Sequence, residues 1–302
     1  MSVNRIKLCS DGPEFSRLVM GTWRLLDDPP LSPQETLSLI EECVDLGITT
    51  FDEADIYGNY GSETLFGKAL ELNPSLKYNI EIVTKCGIKL VSDKRPSHHF
   101  KHYDTTKQHI IDSVENSLKV MGLEHIDLLL LHRPNPLMHP DEIAEAFMLL
   151  NEHGKVFHFG VSNFTVHQFE LLQSRLRMPL VTNQLEVSLL KRDAMLDGNI
   201  DYLMQYKRSP MAWSPFGGGS LFSKSKENEA LHKVMDELSQ KYDNAGYDQL
   251  ALAWLYHHPA KLLPILGTRK IERMRAAAVS ENIQLTREEW FKLWSAAGGQ
   301  IP

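Results

Sequence analysis

The stretch RLVMGTWRLL, residues 17–26, decides between two folds. Its first half, RLVMGT, is a short apolar run that predicts a buried β-strand. An open sheet that binds a dinucleotide would follow such an early strand with the pattern G-x-G-x-x-G. Here the strand leads into TWRLL after the single glycine Gly21. The stretch therefore disfavours the open sheet and favours a closed barrel, if the rest of the chain supplies enough strands.

Seven more apolar runs rich in Val, Ile, Leu or Phe follow the first one. Their near-continuous hydrophobicity is typical of parallel strands that are covered on both faces. Together with the first run, they predict a (β/α)8 TIM barrel formed by a single domain, residues 1–302. The runs are GITTFD (47–52), NIEIVTK (79–85), IDLLLLH (126–132), VFHFGVSN (156–163), LVTNQ (180–184), PMAWS (210–214) and LLPILGT (262–268).

Helical patterns separate these strands. The first begins with Ser32 as N-cap, Pro33 in the first turn and Glu35 three residues after the cap. An N-terminal β-hairpin is predicted over residues 4–16, beneath the barrel floor, and an extra C-terminal helix over residues 286–298. The other predicted helices cover residues 105–122, 141–154, 165–176, 193–206, 248–258 and 270–281.

Composition excludes several classes of protein. The net charge of −7 is spread without blocks of like charge, which disfavours nucleic acid as a partner. No apolar run is long enough to span a membrane, and the start resembles no signal peptide. Cys9, Cys43 and Cys86 are odd in number and widely spaced, which is typical of the reducing cytoplasm. We expect a cytoplasmic monomer or weak homo-oligomer.

The loop SHHFKH, residues 97–102, contains histidines but no carboxylate. Metal sites of barrel hydrolases need clustered His or Asp ligands at early strand ends, and the first strand ends in GTW. No metal site is therefore predicted, and a metal-dependent hydrolase is the least favoured function. The loop is instead expected to cover the pocket, with Phe100 or Tyr103 shaping it.

Polar or aromatic side chains end nearly every predicted strand. In βα barrels the active site lies at the C-terminal ends of the strands, so these residues are expected to converge on one pocket. The strand ends are Gly21, Thr22, Asp52, Lys85, His132, Ser162, Asn163, Gln184, Trp213, Ser214, Gly267 and Thr268.

Proton transfer is the chemistry that these side chains favour. Tyr57 follows the second strand, and a free phenol, with a pKa of about 10, is a poor acid near neutrality. An ammonium at about 4 Å attracts a phenolate by roughly 4 kcal/mol at an effective dielectric of about 20, before desolvation. We expect Lys85 to lower the pKa of Tyr57, Asp52 to hold Lys85 charged and His132 to orient a carbonyl oxygen. Arg133, next to His132, could pair with a substrate or with an acid.

The protein itself offers no evident nucleophile, since no Ser, Cys or Thr stands in a pattern such as G-x-S-x-G. A hydride from a nicotinamide is the better partner for a proton donor. Asn163 and Gln184 could bind its carboxamide, and Trp213 could stack on its ring.

Seven motifs in order resemble the aldo-keto reductase family: FDEADIYG, TKCG, LLLLHRP, GKVFHFGVSNF, TNQLEVS, MAWSPFGGG and LPILGTRKIERMRAA. The resemblance, from about residue 4 to 280, implies a barrel that binds NADPH without a Rossmann motif and reduces aldehydes and ketones. It also implies that Asp52, Tyr57, Lys85 and His132 are the catalytic tetrad, with Tyr57 as general acid and base.

The resemblance further implies how the cofactor is held. Trp213 stands where the family usually has tyrosine, and Ser162, Asn163 and Gln184 would hold the carboxamide. Arg269 and Arg273, at the start of a helix, favour the 2′-phosphate of NADP over NAD. The full predicted cofactor set is Gly21, Thr22, Trp23, Asp52, Ser162, Asn163, Gln184, Trp213, Ser214, Phe216, Gly217, Gly267, Thr268, Arg269 and Arg273.

One alternative uses the same barrel. In this alternative the protein is a redox-sensing binding protein that holds the nucleotide tightly and signals through a partner surface. It would then resemble the potassium-channel β-subunits. The complete set of tetrad residues favours the enzyme, which would act on a small-molecule carbonyl substrate.

Overall fold

Eight parallel strands close into a barrel in the computed structural model, which describes residues 2–301. Each predicted run overlaps one of them, so the (β/α)8 TIM barrel is confirmed. Around the barrel they follow the order β3, β4, β5, β8, β9, β10, β11, β12 and back to β3. The strands of residues 2–301 are β1 (Arg5–Lys7), β2 (Glu14–Ser16), β3 (Val19–Gly21), β4 (Thr50–Asp52), β5 (Glu81–Cys86), β6 (Ile88–Lys89), β7 (His102–Tyr103), β8 (Ile126–Leu131), β9 (Val156–Ser162), β10 (Leu180–Glu186), β11 (Met211–Trp213) and β12 (Leu263–Leu266).

Helices cover the outside of the barrel. The first begins as predicted, with the Ser32 hydroxyl accepting from the Glu35 amide in a capping box. The expected helix over 193–206 is divided into a 3₁₀ turn, Asp193–Met195, and a shorter α-helix. The α-helices are α1 (Pro33–Asp45), α2 (Tyr57–Tyr60), α3 (Ser62–Leu72), α4 (Lys107–Met121), α5 (Pro140–Glu152), α6 (Val166–Gln173), α7 (Asn199–Gln205), α8 (Glu229–Lys241), α9 (Tyr247–His257), α10 (Ile271–Ala278) and α11 (Arg287–Ala296).

The hairpin of β1 and β2 closes the lower end of the barrel. The strands pair antiparallel, and Leu8 and Phe15 are fully buried. They pack in one cluster with residues that begin barrel strands or point into its interior, such as Val19, Val181 and Leu263. The predicted hairpin and its position are confirmed. The barrel is therefore closed at the N-terminal ends of its strands, and the site must open at the other end.

Candidate active site

A cavity of about 580 Å³ opens at the C-terminal ends of the strands. This volume lies within the range of small-molecule and cofactor sites. Its wall is formed by Gly21, Trp23, Arg24, Asp52, Tyr57, His132, Arg133, Gln184, Trp213, Ser214, Pro215, Phe216, Gly218, Gly219, Phe222, Asp248, Ile265, Leu266, Gly267, Thr268 and Arg273.

Lys85 lies behind Asp52 and Tyr57 of the cavity wall and is completely buried. Its ammonium donates to Asp52 Oδ2 at 2.7 Å, to the Tyr57 hydroxyl at 2.9 Å and to the Glu53 carbonyl at 2.8 Å. An ammonium has three N–H donors, so every one of them has an acceptor. Strand β4 places Asp52 beside β5, where the parallel register pairs it with Val83. Lys85 follows Val83 by two residues and so lies on the same face of β5, from which its side chain reaches Asp52. The expected contact of Asp52, Lys85 and Tyr57 is present.

Asp52 also has a second partner. Gln184 Nε2 donates to Asp52 Oδ1 at 2.8 Å, from across the barrel. The carboxylate is thus held by one contact on each oxygen, and the side chain cannot rotate without losing both. From the sequence, Gln184 was predicted to bind the nicotinamide carboxamide. Its contact with Asp52 was not predicted, because only the closure of the barrel brings the two residues together.

Tyr57 is held by an unusual turn. The three residues after it have left-handed backbone, with φ of 55° at Gly58, 54° at Asn59 and 60° at Tyr60. Such φ values are strained for residues other than glycine and often occur at functional sites. The turn points the Tyr57 ring at Trp23 and His132, edge to face, with centroid distances of 5.0 and 5.8 Å.

The pKa of Tyr57 departs from the expectation. Burial raises it to about 12, although the Lys85 ammonium acts in the opposite direction. The expected net lowering is therefore wrong for the protein alone, because removing the phenolate from water outweighs the ammonium. For Lys85, burial is opposed by Asp52 and Tyr57, and the net pKa lies above its ordinary value. Tyr57 is thus protonated at neutral pH.

His132 is a neutral ring at neutral pH. Burial, followed by the positive charges of Lys85 and Arg133, holds its pKa well below the ordinary value. Its Nδ1 is buried and has no hydrogen-bond partner within residues 2–301. A neutral imidazole carries a single N–H and can donate it to a carbonyl oxygen without losing a proton.

Trp213 is fixed at the cavity wall by Asn163. The indole N–H donates to Asn163 Oδ1 at 3.1 Å, and Asn163 Nδ2 donates to Ser162 Oγ at 2.8 Å. Ser162 Oγ in turn donates to the Gln184 carbonyl at 3.0 Å. This chain of contacts orients a flat aromatic face next to Gln184.

Five predicted cofactor residues do not line the cavity: Thr22, Ser162, Asn163, Gly217 and Arg269. Thr22 is buried and donates to the Asp52 carbonyl, behind the wall. Arg269 Nη1 donates to the carbonyls of Asp27 and Pro29, at 2.9 and 2.6 Å. A direct cofactor contact by these residues stays a prediction.

Several residues of the cavity wall were not predicted from the sequence. Arg24, Phe222 and Asp248 line the cavity but belong to a loop, to the 3₁₀ turn Gly217–Phe222 and to the start of α9. None of them ends a strand, so the pattern that identified the other residues could not find them. Gly218 and Gly219 also line the cavity and were not predicted, and a Cβ at either would meet open space.

The histidine loop lies outside the cavity wall. Residues 88–89 and 102–103 pair as β6 and β7, and Phe100 is 78% exposed. Neither Phe100 nor Tyr103 lines the cavity, so the structure does not bear out their expected role in shaping it. Among residues 2–301, no three His, Cys, Asp or Glu side chains are grouped as metal ligands. No helix of that range is both long and apolar enough to cross a bilayer.

Glu53 is a buried acid directly behind the site. The hydroxyls of Thr22 and Ser62 lie near its carboxyl group and act to lower its pKa, but both donate to backbone carbonyls as well. Burial and the neighbouring Glu63 raise the pKa of Glu53 to about 8. The native protein therefore holds a proton that the unfolded chain releases at lower pH.

We expect Glu53→Gln to remove part of the pH dependence of stability. From the ordinary pKa of 4.5 to about 8, only the unfolded chain loses the Glu53 proton, so wild-type stability falls as pH rises. Glutamine cannot ionise. From pH 5 to pH 8, the free energy of unfolding of the variant should therefore rise by roughly 3 kcal/mol relative to that of the wild type. Urea unfolding at both pH values measures the difference. The exposed Glu71→Gln is the control, and parallel pH profiles for Glu53→Gln and the wild type would contradict the expectation.

Comparison with known proteins agrees with this geometry. Residues 17–297 match the model of the aldo/keto reductase family. The chain is 49% identical over 300 residues to "Oxidoreductase YdhF" of Escherichia coli (strain K12), and the match covers 98% of each chain. It is 47% identical over 300 residues to a "6-dehydroglucose reductase" of Agrobacterium fabrum, and the match covers 99% of each chain.

A solved structure shows the same architecture. The thermostable aldo-keto reductase Tm1743, in complex with the inhibitor epalrestat, superposes with a TM-score of 0.82 at 25% identity. The match covers 97% of this chain and 100% of the other. With the family match over nearly the whole chain, and with the barrel and its site as described, the chain belongs to the aldo-keto reductase family of oxidoreductases.

Proposed function

We propose that this protein reduces an aldehyde or ketone to an alcohol with NADPH, and that Tyr57 is the proton donor. The observation that carries the proposal is the hydrogen bond of 2.9 Å between Lys85 Nζ and the Tyr57 hydroxyl at the cavity wall. A protonated phenol beside a fixed ammonium can give its proton to an oxygen and remain stabilised as phenolate.

The residues of the cavity are suited to NADPH. The wall includes the aromatic face of Trp213, which can stack on a nicotinamide, and Gly218 and Gly219, where no side chain takes up space. It also includes Thr268 and Arg273, near the start of α10. A dinucleotide needs a flat surface for its nicotinamide and a cation for its phosphates.

The chain's own residues would handle the oxygen of the substrate. NADPH, when bound, supplies the hydride for the carbonyl carbon and is oxidised to NADP⁺. As the electron pair of the C=O bond moves to oxygen, Tyr57 gives that oxygen its proton, and the product is the neutral alcohol. Lys85 stabilises the phenolate left on Tyr57, Asp52 keeps Lys85 charged and in place, and neutral His132 donates a hydrogen bond to the carbonyl oxygen.

The experiment follows nicotinamide absorbance with a panel of aldehydes, ketones and quinones, including 6-dehydroglucose because a 47% identical relative bears that name. We expect steady aldehyde-dependent oxidation of NADPH. Turnover no faster than spontaneous nucleotide release would instead favour the redox-sensing binding protein. No oxidation with any carbonyl compound, despite NADPH binding, would reject the proposal.

Arg273 provides the test of cofactor choice. It is exposed at the cavity end of α10, and its guanidinium has no ion-pair partner among residues 2–301. We expect Arg273→Ala to raise the Kd of NADPH by about 10- to 100-fold, because a charge-assisted contact to the 2′-phosphate is lost. NADH lacks that phosphate, so its Kd should change much less. Nucleotide fluorescence titration measures both constants.

Arg275 is the matched control on the same helix. Its guanidinium pairs with Glu42 of α1 and does not line the cavity. Arg275→Ala should therefore leave the ratio of the two Kd values unchanged. Equal weakening of NADPH and NADH by Arg273→Ala would reject the 2′-phosphate contact.

A further inference from the structure

Arg133 lies on the cavity wall directly after His132, where β8 ends. Its Nη1 donates to the His132 carbonyl at 2.8 Å and faces Ser162 Oγ at 3.4 Å. Its guanidinium carbon lies 5.5 Å from the ring centroid of Trp213. The side chain is therefore held by the backbone and by an aromatic face, close to the proposed reacting groups.

The guanidinium of Arg133 forms no ion pair within residues 2–301, although the charge of Glu186 acts on it from further away. Within residues 2–301, no carboxylate oxygen lies within 4.0 Å of its guanidinium. Arg17, by contrast, is paired with Glu281 at 2.7 Å. The sequence left open whether Arg133 meets an acid or a substrate, and no acid among residues 2–301 forms an ion pair with it.

Two of its nitrogen positions are also free. Among residues 2–301, only Nη1 has hydrogen-bond acceptors, which leaves Nε and Nη2 without a protein partner. A guanidinium presents its donors as a planar fork that matches two oxygens of a carboxylate or neighbouring hydroxyl oxygens. Partly buried donors gain most from an acceptor that a ligand brings, since leaving them unpaired is costly.

The position of Arg133 relates it to the substrate carbonyl. His132 and Tyr57, which would contact the carbonyl oxygen, lie on the same wall. The ring centroids of these two residues are 5.8 Å apart, and Arg133 follows His132 in the chain. The next place on a small substrate that Arg133 can reach is therefore a group beside the carbonyl.

We propose that Arg133 determines substrate specificity by donating hydrogen bonds to an oxygen on the carbon next to the carbonyl. The substrates it favours are α-oxygenated carbonyl compounds, with either a hydroxyl or a carboxylate beside the carbonyl, rather than hydrocarbon aldehydes. This inference rests on the proposed carbonyl reduction.

The test compares Arg133→Met with the wild type on two pairs of aldehydes matched in non-hydrogen atoms. Glycolaldehyde, with a hydroxyl, is paired with propanal, and glyoxylate, with a carboxylate, is paired with isobutanal. Each substrate is compared only with itself across the two proteins, so its hydration in water cancels. We expect kcat/KM for the oxygenated member to fall about 10- to 100-fold further than for its hydrocarbon partner.

Arg133→Lys and a binding measurement separate the two sources of oxygen. Lysine keeps the positive charge but not the planar pair of donors. Arg133→Lys should therefore retain more of the wild-type kcat/KM for glyoxylate than for glycolaldehyde. Titration of the NADP⁺ complex with glycolate, followed by tryptophan fluorescence, should show weaker binding in Arg133→Met. Arg192→Met is the control, because Arg192 lies 5.2 Å over Trp294 in a similar contact away from the cavity.

Each result decides one point. Equal losses for both members of each pair would overturn the inference, because Arg133 would then act on the cofactor or on His132. No loss for any substrate would also overturn it. If the wild type binds NADPH but reduces none of the aldehydes, the proposed function itself fails, and the inference fails with it.

Discussion

Replacing Tyr57 with Phe is expected to lower kcat/KM for carbonyl reduction by roughly 10³-fold, because the proton donor is lost. NADPH binding should change little, since the phenol contacts Lys85 and the variant keeps the aromatic ring. Lys85 retains its contacts to Asp52 and to the Glu53 carbonyl, so the buried charge stays paired. Stopped-flow oxidation of NADPH and a nucleotide titration measure the two properties.

The control for this variant removes a phenol elsewhere. Tyr78 is 87% exposed and lies in the 3₁₀ turn Pro74–Tyr78, away from the cavity. Tyr78→Phe should behave as the wild type in both measurements. Normal turnover by Tyr57→Phe would show that another group delivers the proton.

Replacing Lys85 with Met should reduce both stability and rate. The substitution leaves the Asp52 carboxylate buried with only the contact from Gln184, and breaking a buried ion pair costs about 3–5 kcal/mol. The rate should fall by roughly 10²- to 10³-fold, because nothing stabilises the phenolate that Tyr57 leaves behind. Denaturant unfolding and steady-state kinetics measure the two effects.

A double variant separates them. Adding Asp52→Asn to Lys85→Met removes the unpaired charge and should recover much of the lost free energy of unfolding. The rate should not recover, since the ammonium is still missing. Recovery of the rate in the double variant would mean that Lys85 serves only to neutralise Asp52.

The eight barrel strands could be predicted because their signal is local. A run such as LLPILGT is apolar throughout, and the strand found there is Leu263–Leu266. Besides the single turn α2, the longer helices α3 and α8 were not predicted, for different reasons. In α8, Leu231, Met235 and Leu238 do lie on one face, and this spacing could have been used.

Helix α3 has no such clean signal. Its buried face includes Glu63, which accepts hydrogen bonds from Thr84 and Ser117. An acid on the core side interrupts the apolar stripe, and only the folded protein supplies the partners that make it tolerable.

The site was predictable as a set of strand ends but not in its energetics. The contact of Lys85 with Asp52 and Tyr57 follows from parallel strands whose C-terminal ends meet at one end of the barrel. The direction of the Tyr57 pKa does not, since it depends on how completely the ring is buried. The carbonyls that engage Arg269 belong to residues 27–29, far away in sequence, so local pattern could not reveal them.

The hairpin of β1 and β2 has a practical consequence for handling the protein. Because it covers the pole opposite the cavity, strand β1 lies on the side that faces away from the reacting groups. An N-terminal fusion, or attachment of the N-terminus to a bead or electrode, would point the open mouth toward the bulk solution. Substrate could then diffuse in freely while the protein is immobilised.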